Sequence, residues 1–151
     1  RHMANLNAVG TTGETYPLDV ERGKIREFAR ATRSTNPAYL ERDIPVIPPT
    51  FLTVTNFWQP EAGNPWAAAE LDGKRVLHAE PQHEFSGPPP VAGTRLMCTS
   101  RIDNMYTKEG RRGGELTFVV MVTDFTDADG TLVARATMTG VETAHAAKEE
   151  Q

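Results

Sequence analysis

The sequence predicts an α+β fold in which helices and strands occupy different parts of the chain. A short strand and one amphipathic stretch lie before residue 34, and four strand-like stretches follow one another after residue 75. Strands that succeed one another with only turn signals between them are typical of an antiparallel meander rather than a parallel α/β sheet. The chain has 151 residues, which suits one domain with an apolar core.

Composition and charge restrict the classes of partner. The net charge is −4 and there is no block of basic residues, which argues against nucleic acid and membranes as main partners. No apolar run approaches the ~20 residues that span a bilayer, and no signal-peptide core is visible. Cys98 is the only cysteine, so an internal disulfide is impossible and a cytoplasmic location fits.

The amphipathic stretch predicts a helix over residues 20–33, with Asp19 as a suitable N-cap. Its apolar stripe, at the helical spacing i, i+3, i+4 and i+7, consists of Ile25, Phe28, Ala29 and Thr32. The residue before a proline avoids the helical region, so Asn36-Pro37 ends this helix. Residues 39–47 are then expected to form a connecting loop.

Four strands are predicted in the second half of the chain. The first is Val76–Phe85, and Pro81 within it predicts a bulge or an edge position, because proline cannot donate to a neighbouring strand. The others are predicted at 94–106, 115–126 and 131–142, with a hairpin turn at 127–130. One domain over residues 4–143 is expected, preceded by an expression-vector remnant at 1–3 and followed by a flexible tail at 144–151.

Residues 48–58 do not reveal their structure through periodicity. Thr53, Val54 and Thr55 are β-branched, which favours a strand. The two prolines at positions 48 and 49 also suit the start of a helix. The residues alone leave both structures open.

Three segments of the chain resemble one known family. They are Ile25–Thr32 followed by Asn36-Pro37, then Pro49-Thr50-Phe51-Leu52, and then Pro90–Leu96 leading into the long strands. In order and spacing they look like the N-terminal, non-catalytic domain of the MaoC-like dehydratases and type 2 enoyl-CoA hydratases, over about residues 16–142. The resemblance implies the hot-dog fold, an antiparallel sheet wrapped round a long central helix, and makes residues 48–58 the start of that helix.

The resemblance also locates an active-site segment that lacks its acid and its base. The family's segment reads Gly-Asp-x-Asn-Pro-x-His, whereas this chain reads Arg-Ser-Thr-Asn-Pro-Ala-Tyr from Arg33 onward. Ser34 stands at the position of the catalytic Asp, and Tyr39 at that of the catalytic His. A lone serine is no base near pH 7, and a tyrosine with a pKa of about 10 is poorly matched to proton transfer. We therefore expect no catalytic residue in this chain.

By the same resemblance, this chain would pair with a catalytic MaoC-like hydratase subunit, edge to edge and with central helices side by side. The assembly would be an (R)-specific enoyl-CoA hydratase or 3-hydroxyacyl dehydratase that acts on acyl-CoA or acyl-carrier-protein thioesters without a cofactor. This chain would widen the pocket for a fatty-acyl or steroid side chain. The expected substrate-binding residues, which would equally suit the core or the dimer seam, are Thr50, Phe51, Val54, Thr55, Phe57, Trp58 and His83.

A phosphate-binding cluster is expected among the cations of the third quarter of the chain. Its members, which would otherwise belong to a solvated loop, are Arg101, Lys108, Arg111 and Arg112. A metal site is not expected. His78 and His83 are five residues apart on one strand, which places them on opposite faces.

Two alternatives to the subunit hypothesis stay open. A self-contained hydratase or thioesterase would need a relocated acid–base pair, His83 with Asp43 or Glu41. A homodimeric acyl-thioester binding protein would need no chemistry at all. All three hypotheses predict a dimer or a larger assembly.

Overall fold

In the computed structural model, the described part of the chain runs from residue 3 to residue 145. The predicted vector remnant at 1–3 and the predicted tail at 144–151 fall almost wholly outside it. The strands and α-helices of this part are β1 (Tyr16–Asp19), α1 (Arg22–Ala31), α2 (Pro37–Leu40), β2 (Val76–Phe85), β3 (Arg95–Glu109), β4 (Glu115–Thr126) and β5 (Leu132–Glu142). Short 3₁₀ helices lie at Leu6–Ala8, Phe51–Phe57, Glu61–Gly63, Pro65–Ala69 and Gly73–Arg75. Within residues 3–145, no helix has the length and apolarity that crossing a bilayer requires.

The strands form one antiparallel sheet in the order β1-β3-β4-β5-β2. β3, β4 and β5 follow one another as hairpins, while β2 returns to pair with β5 and forms one edge of the sheet. The predicted α+β meander is therefore confirmed. β2 and β4 have the predicted bounds, whereas β3 and β5 begin one residue later and β3 runs three residues further.

The edge strand β2 carries a bulge, as Pro81 predicted. Its pairing with β5 shifts register between His78 and Glu80. On either side of this shift, His78 and His83 both lie opposite β5 residues that face the core. The prediction that the two imidazoles occupy opposite faces is therefore wrong, because a bulge inverts the alternation of side chains beyond it.

The first helix is shorter than predicted. It starts after Glu21, whose side chain makes no capping hydrogen bond, so Asp19 is not its N-cap. Asp19 instead ends β1 opposite Arg95 of β3, and their carboxylate and guanidinium groups are 3.9 Å apart. Pairing with β3 outweighs the local preference for a cap. The loop predicted at 39–47 is also corrected, because Asn36 starts the further helical turn α2.

The central segment, Phe51–Phe57, is a seven-residue 3₁₀ helix and not the start of a long α-helix, so that prediction is wrong. Hydroxyl groups reinforce its tight winding. Thr53 Oγ1 donates to the Thr50 carbonyl at 2.8 Å, and Thr55 Oγ1 donates to the Leu52 carbonyl at 2.7 Å. β-Branched residues are weak α-helix formers, and a proline three residues further along prevents continuation.

The core lies between the inner face of the sheet and the layer formed by α1 and the central segment. Phe51 is fully buried and meets the ring of Phe28 edge to face, with centroids 5.6 Å apart. Buried residues around it include Leu18, Ile25, Leu96, Cys98, Phe125 and Ala134. A second, smaller cluster consists of Ala8, Ala69, Ile102, Met105 and Val119. Every strand except β2 contributes a buried side chain to one of these clusters.

The packing of the central segment predicts a large penalty for truncation. Leu52→Ala should lower the free energy of unfolding by about 2–5 kcal/mol, because it leaves a cavity in a fully packed cluster. Leu6→Ala is the matched control, since 51% of that side chain is exposed, and it should cost less than about 1 kcal/mol. Urea denaturation followed by circular dichroism measures both, and equal losses would contradict this packing.

Candidate functional site

Backbone hydrogen bonds hold the segment that resembles the family's active site. The Ser34 N–H donates to the Ala29 carbonyl at 2.8 Å, where the chain leaves α1. Ser34 Oγ accepts from the Asn36 N–H at 3.3 Å, and Asn36 Oδ1 accepts from the Ala38 N–H at 3.0 Å. Asn36 is thus the N-cap of α2 and Pro37 its first residue. This structural use of Asn-Pro requires no chemistry.

Neither residue at the family's acid–base positions is prepared for proton transfer. Ser34 is half-buried, and its hydroxyl oxygen is engaged with the backbone. Tyr39 is half-buried and packs against the main apolar cluster. Asp43, one carboxylate suggested for a relocated pair with His83, instead lies 3.8 Å from the guanidinium of Arg22.

The expected pocket residues divide between the core and the surface. Three are buried in the core: Phe51, Val54 and Thr55. Thr50 is exposed at the N-cap position of the central segment. Phe57 is 79% exposed and Trp58 is 53% exposed. Two adjacent large aromatic side chains in contact with water are typical of a surface that a partner or a ligand covers.

A groove that the sequence analysis missed lies beside the central segment. Its volume is about 260 Å³, and its lining includes Asn56, Gln59, Trp66, His78, Met121 and Met138. Methionine side chains adapt to ligands of irregular shape. The inward positions of Met121 and Met138 follow from strand alternation. His78 reaches the same inner face of the sheet only because β2 has a bulge.

A buried polar cluster attaches the central segment to the sheet. Gln59 Nε2 donates to Ser100 Oγ at 3.3 Å, and Ser100 Oγ shares a hydrogen bond of 2.7 Å with Thr123 Oγ1. The Tyr16 hydroxyl is hydrogen-bonded to Ser100 and Thr55, and burial raises its pKa to about 12. This phenol stays protonated at neutral pH and serves as a hydrogen-bonding partner rather than as a base.

Two further titratable groups are governed by burial. Burial raises the pKa of the Cys98 thiol to about 12, which makes the thiol unreactive. Burial lowers the pKa of His83 below its ordinary value of 6.5, so this imidazole is neutral at pH 7.

Among residues 3–145, no group of three or more His, Cys, Asp or Glu side chains could hold a metal ion.

The four cations expected to bind phosphate do not form one cluster. Arg101 lies on the outer face of the sheet, with its guanidinium 2.8 Å from Asp124 and 3.4 Å from Asp103. Burial alone would raise the pKa of Asp124, but hydrogen bonds from Arg135 and Arg101 hold that pKa below its usual value. The charge of Arg101 is therefore neutralised by neighbouring carboxylates.

Lys108 is engaged by aromatic rings on the same outer face. The rings of Tyr106 and Phe118 stack with centroids 4.8 Å apart, and Lys108 Nζ lies 5.3 Å and 5.5 Å from those centroids. These are cation–π contacts. Arg111 and Arg112 lie elsewhere, at the tip of the β3–β4 hairpin, where they border a cavity of about 600 Å³.

Comparison with known proteins decides the family. The family model described as "FAS1-like, dehydratase domain region" matches residues 7–136. This chain belongs to that family. A UPF0336 protein of Streptomyces coelicolor is 35% identical over an alignment of 112 residues that covers 64% of this chain and 69% of the relative. A UPF0336 protein of Saccharopolyspora erythraea is 29% identical over an alignment of 146 residues that covers 83% of this chain and 89% of the relative.

Solved structures confirm the hot-dog fold for this member of the dehydratase family. The HadBC (3R-hydroxyacyl-ACP dehydratase) complex of Mycobacterium tuberculosis has a TM-score of 0.70 and 24% identity over 89% of this chain and 96% of that one. A MaoC-like dehydratase has a TM-score of 0.75 and 23% identity, and the match covers 91% of this chain and 43% of that one. The ChsH1-ChsH2 complex of Mycobacterium tuberculosis has a TM-score of 0.71 and 15% identity, and the match covers 91% of this chain and 87% of that one. The resemblance to MaoC-like dehydratases is confirmed, and at these identities the likeness to structures concerns the fold.

The lowered pKa of His83 predicts a loss of stability in mild acid. The unfolded chain takes up a proton near pH 6.5, whereas the folded chain does so only at lower pH, so the free energy of unfolding should fall as the pH drops below about 6.5. His83→Gln should remove this part of the loss. Urea denaturation from about pH 7.5 to pH 5 tests it, and identical pH dependence in parent and variant would contradict it.

Proposed function

We propose that this chain is the non-catalytic, pocket-forming subunit of a heteromeric (R)-specific enoyl-CoA hydratase or 3-hydroxyacyl dehydratase. A catalytic MaoC-like companion would supply the Asp and the His. The substrate would be an acyl thioester of fatty-acid or steroid side-chain metabolism. The observation that carries the proposal is the segment from Ser34 to Tyr39, which keeps the family's turn but presents a backbone-bound hydroxyl and a core-packed phenol.

The chemistry of hydration explains why this segment matters. Adding water to a 2-enoyl thioester requires a base for the water, an acid for the α-carbon and donors to the thioester oxygen. Ser34 and Tyr39 offer neither a base nor an acid suited to neutral pH. A dehydratase-family chain with this segment contributes binding surface, while the chemistry takes place on a companion.

The open edge of β2 supports pairing with a second hot-dog chain. β2 is ten residues long, and within the described residues β5 is its only neighbouring strand. An exposed edge of this length readily pairs with another strand. Two similarly folded chains related by an approximate two-fold axis would continue the sheet antiparallel, β2 against β2.

The short central segment supports a role in forming the pocket. A seven-residue 3₁₀ helix covers less of the sheet than a long α-helix does, and the groove that contains His78, Met121 and Met138 opens beside it. Phe57 and Trp58 follow this groove's Asn56 directly in the chain and are exposed. In a pair of subunits, these rings would close over an acyl chain that extends from the companion's active site.

The form of the similar structures also supports a heteromeric assembly. Two of them are described as complexes, HadBC and ChsH1-ChsH2. The first is named as a 3R-hydroxyacyl-ACP dehydratase. This chain shares the fold of their subunits, and its open strand edge gives it a surface for the same kind of assembly.

Activity assays test the proposal. The pure chain should not hydrate crotonyl-CoA or a longer 2-enoyl-CoA, and it should support hydration when co-expressed with a MaoC-like chain that contains Gly-Asp-x-Asn-Pro-x-His. The longer substrate should benefit more, because it reaches the pocket of this chain. Activity of the pure chain that His83→Ala abolishes and Tyr39→Phe preserves would overturn the proposal in favour of a self-contained enzyme.

Association tests the proposed seam independently of activity. Phe57→Arg should weaken subunit association by about tenfold or more, because it places a charge in an aromatic contact. Val9→Arg is the control. Val9 is also exposed, at 45%, but it follows the N-terminal turn that packs on β3, which two strands separate from β2. Light scattering of the parent, the variants and their complexes measures the effect. A parent chain that stays monomeric with and without the companion would contradict the seam.

A further inference from the structure

The groove beside the central segment brings two thioethers, an imidazole and an indole into one small space. These groups belong to Met121, Met138, His78 and Trp66, which all line it. No Asp or Glu occurs among its described lining residues. The donor atoms are therefore neutral, and the sulfur atoms are soft, unlike the carboxylates and thiolates that hold most metal ions in proteins.

We propose that this groove binds a soft monovalent metal ion, Cu(I), through the sulfur atoms of Met121 and Met138 and an imidazole nitrogen of His78. Thioether sulfur is a soft ligand that selects Cu(I), and imidazole also suits copper. The inference goes beyond the proposed hydratase role, because it concerns a metal ion and this chain alone. An ion in the groove would compete for space with the acyl chain of the proposed function.

The register of the sheet places the three donors side by side. Met121 of β4 lies directly opposite Met138 of β5, and both line the groove on the inner face. His78 of β2 lies opposite Gly140, two residues further along β5. Directly opposite residues have Cβ atoms about 5 Å apart, and diagonal neighbours remain within reach of long side chains. Three adjacent strands therefore supply one donor each.

The donors can be reached from solvent and can adjust to an ion. His78 is exposed on the edge strand, and among residues 3–145 its imidazole has no hydrogen-bonding or ionic partner. Met121 is only 7% exposed, so an ion that enters past the imidazole meets a sulfur atom shielded from water. Methionine has three rotatable bonds and a polarizable sulfur, which allows the two thioethers to turn towards a shared ion.

The indole of Trp66 lies against the same part of the sheet. A Cβ at Gly140 would overlap with Cη2 of this ring and would lie 2.9 Å from its Cζ2, so the glycine makes room for the indole. The backbone N–H of Trp66 donates to Asn64 Oδ1 at 3.0 Å, which fixes its turn. Because Gly140 is also the residue opposite His78, the ring lies beside the proposed ion. Tryptophan is the aromatic side chain that attracts cations most strongly.

The lack of charge in the lining favours a monovalent ion over a divalent one. Hard cations such as Mg²⁺ and Ca²⁺ bind through carboxylate and other oxygen ligands. Zn²⁺ in proteins is bound by thiolate, imidazole and carboxylate rather than by thioether. An ion transferred into a neutral site keeps its full charge, and the cost of burial rises with that charge. The groove therefore discriminates by softness and by low charge.

Titration of the purified full chain with Ag(I), a redox-stable analogue of Cu(I), tests the inference. In chloride-free buffer, a single equivalent should bind and quench tryptophan fluorescence. Trp66→Phe should remove most of this response, whereas Trp58→Phe should retain it. Cu(I) kept reduced with ascorbate should bind to the same site and displace Ag(I), with its affinity measured by competition against a Cu(I) chelator.

Matched variants locate the ion. Met121→Leu with Met138→Leu should raise the Kd for Ag(I) by about tenfold or more, because leucine keeps the volume and removes both sulfur donors. His78→Gln should raise the Kd in the same direction. The control is Met97→Leu, which removes a thioether from β3, where Met97 is half-buried between two core residues. It should change the Kd by less than about twofold. Circular dichroism checks that each variant is folded.

Four outcomes would overturn the inference. The first is a parent chain that binds no Ag(I), a result that depends on no variant. The second is an equal loss of affinity in Met97→Leu, which would remove the groove as the site. The third is Zn²⁺ binding more tightly than Ag(I). The fourth is binding that Cys98→Ala abolishes and the methionine variants preserve, which would assign the ion to the buried thiol. These titrations need no companion, so they succeed or fail separately from the hydration assay.

Discussion

The attachment of the central segment to the inner face of the sheet determines most of what this protein presents to other molecules. On one side, Phe51 and Leu52 are buried against α1 and the strands, which supplies the apolar driving force. On the other side, Thr55 and Gln59 reach the buried hydroxyls of Tyr16 and its neighbours. Buried polar groups are tolerated only when they are paired, and within the described residues every such side-chain atom has a partner. The segment is therefore anchored firmly while staying short.

Because the central segment is short, it leaves part of the inner face of the sheet uncovered. A long helix would lie across the inner face beside β2, whereas here a groove and two exposed aromatic rings, Phe57 and Trp58, occupy that region. β2 itself contributes no buried side chain to either core cluster, and it has a bulge. Among residues 3–145, β2 pairs only with β5, so its other edge is open to a second chain. The open edge, the groove and the exposed rings therefore describe one surface suited to a companion.

Neighbouring side chains engage two of the four cations that were expected to bind phosphate. Arg101 and Arg135 converge on Asp124 across the outer face of the sheet, and Lys108 lies over stacked aromatic rings. These side chains stabilise the exposed face of the strands and have little charge left for a ligand. At the hairpin tip, Arg111 and Arg112 border a cavity together with Lys74 and Arg75.

The sequence by itself determined the order of elements, the bounds of β2 and β4, and the residues Ser34 and Tyr39 in the segment that resembles the family's active site, because alternation, turn residues and residue identity are local properties. It also indicated an edge position for Pro81. Only the tertiary structure decided the winding of Phe51–Phe57, because the local residues left both a strand and a helix open and the segment is buried against the sheet. It also placed His78 and His83 on one face and divided the expected phosphate cluster. These outcomes depend on contacts between residues distant in the chain, such as a bulge or a carboxylate across the sheet, which no local pattern encodes.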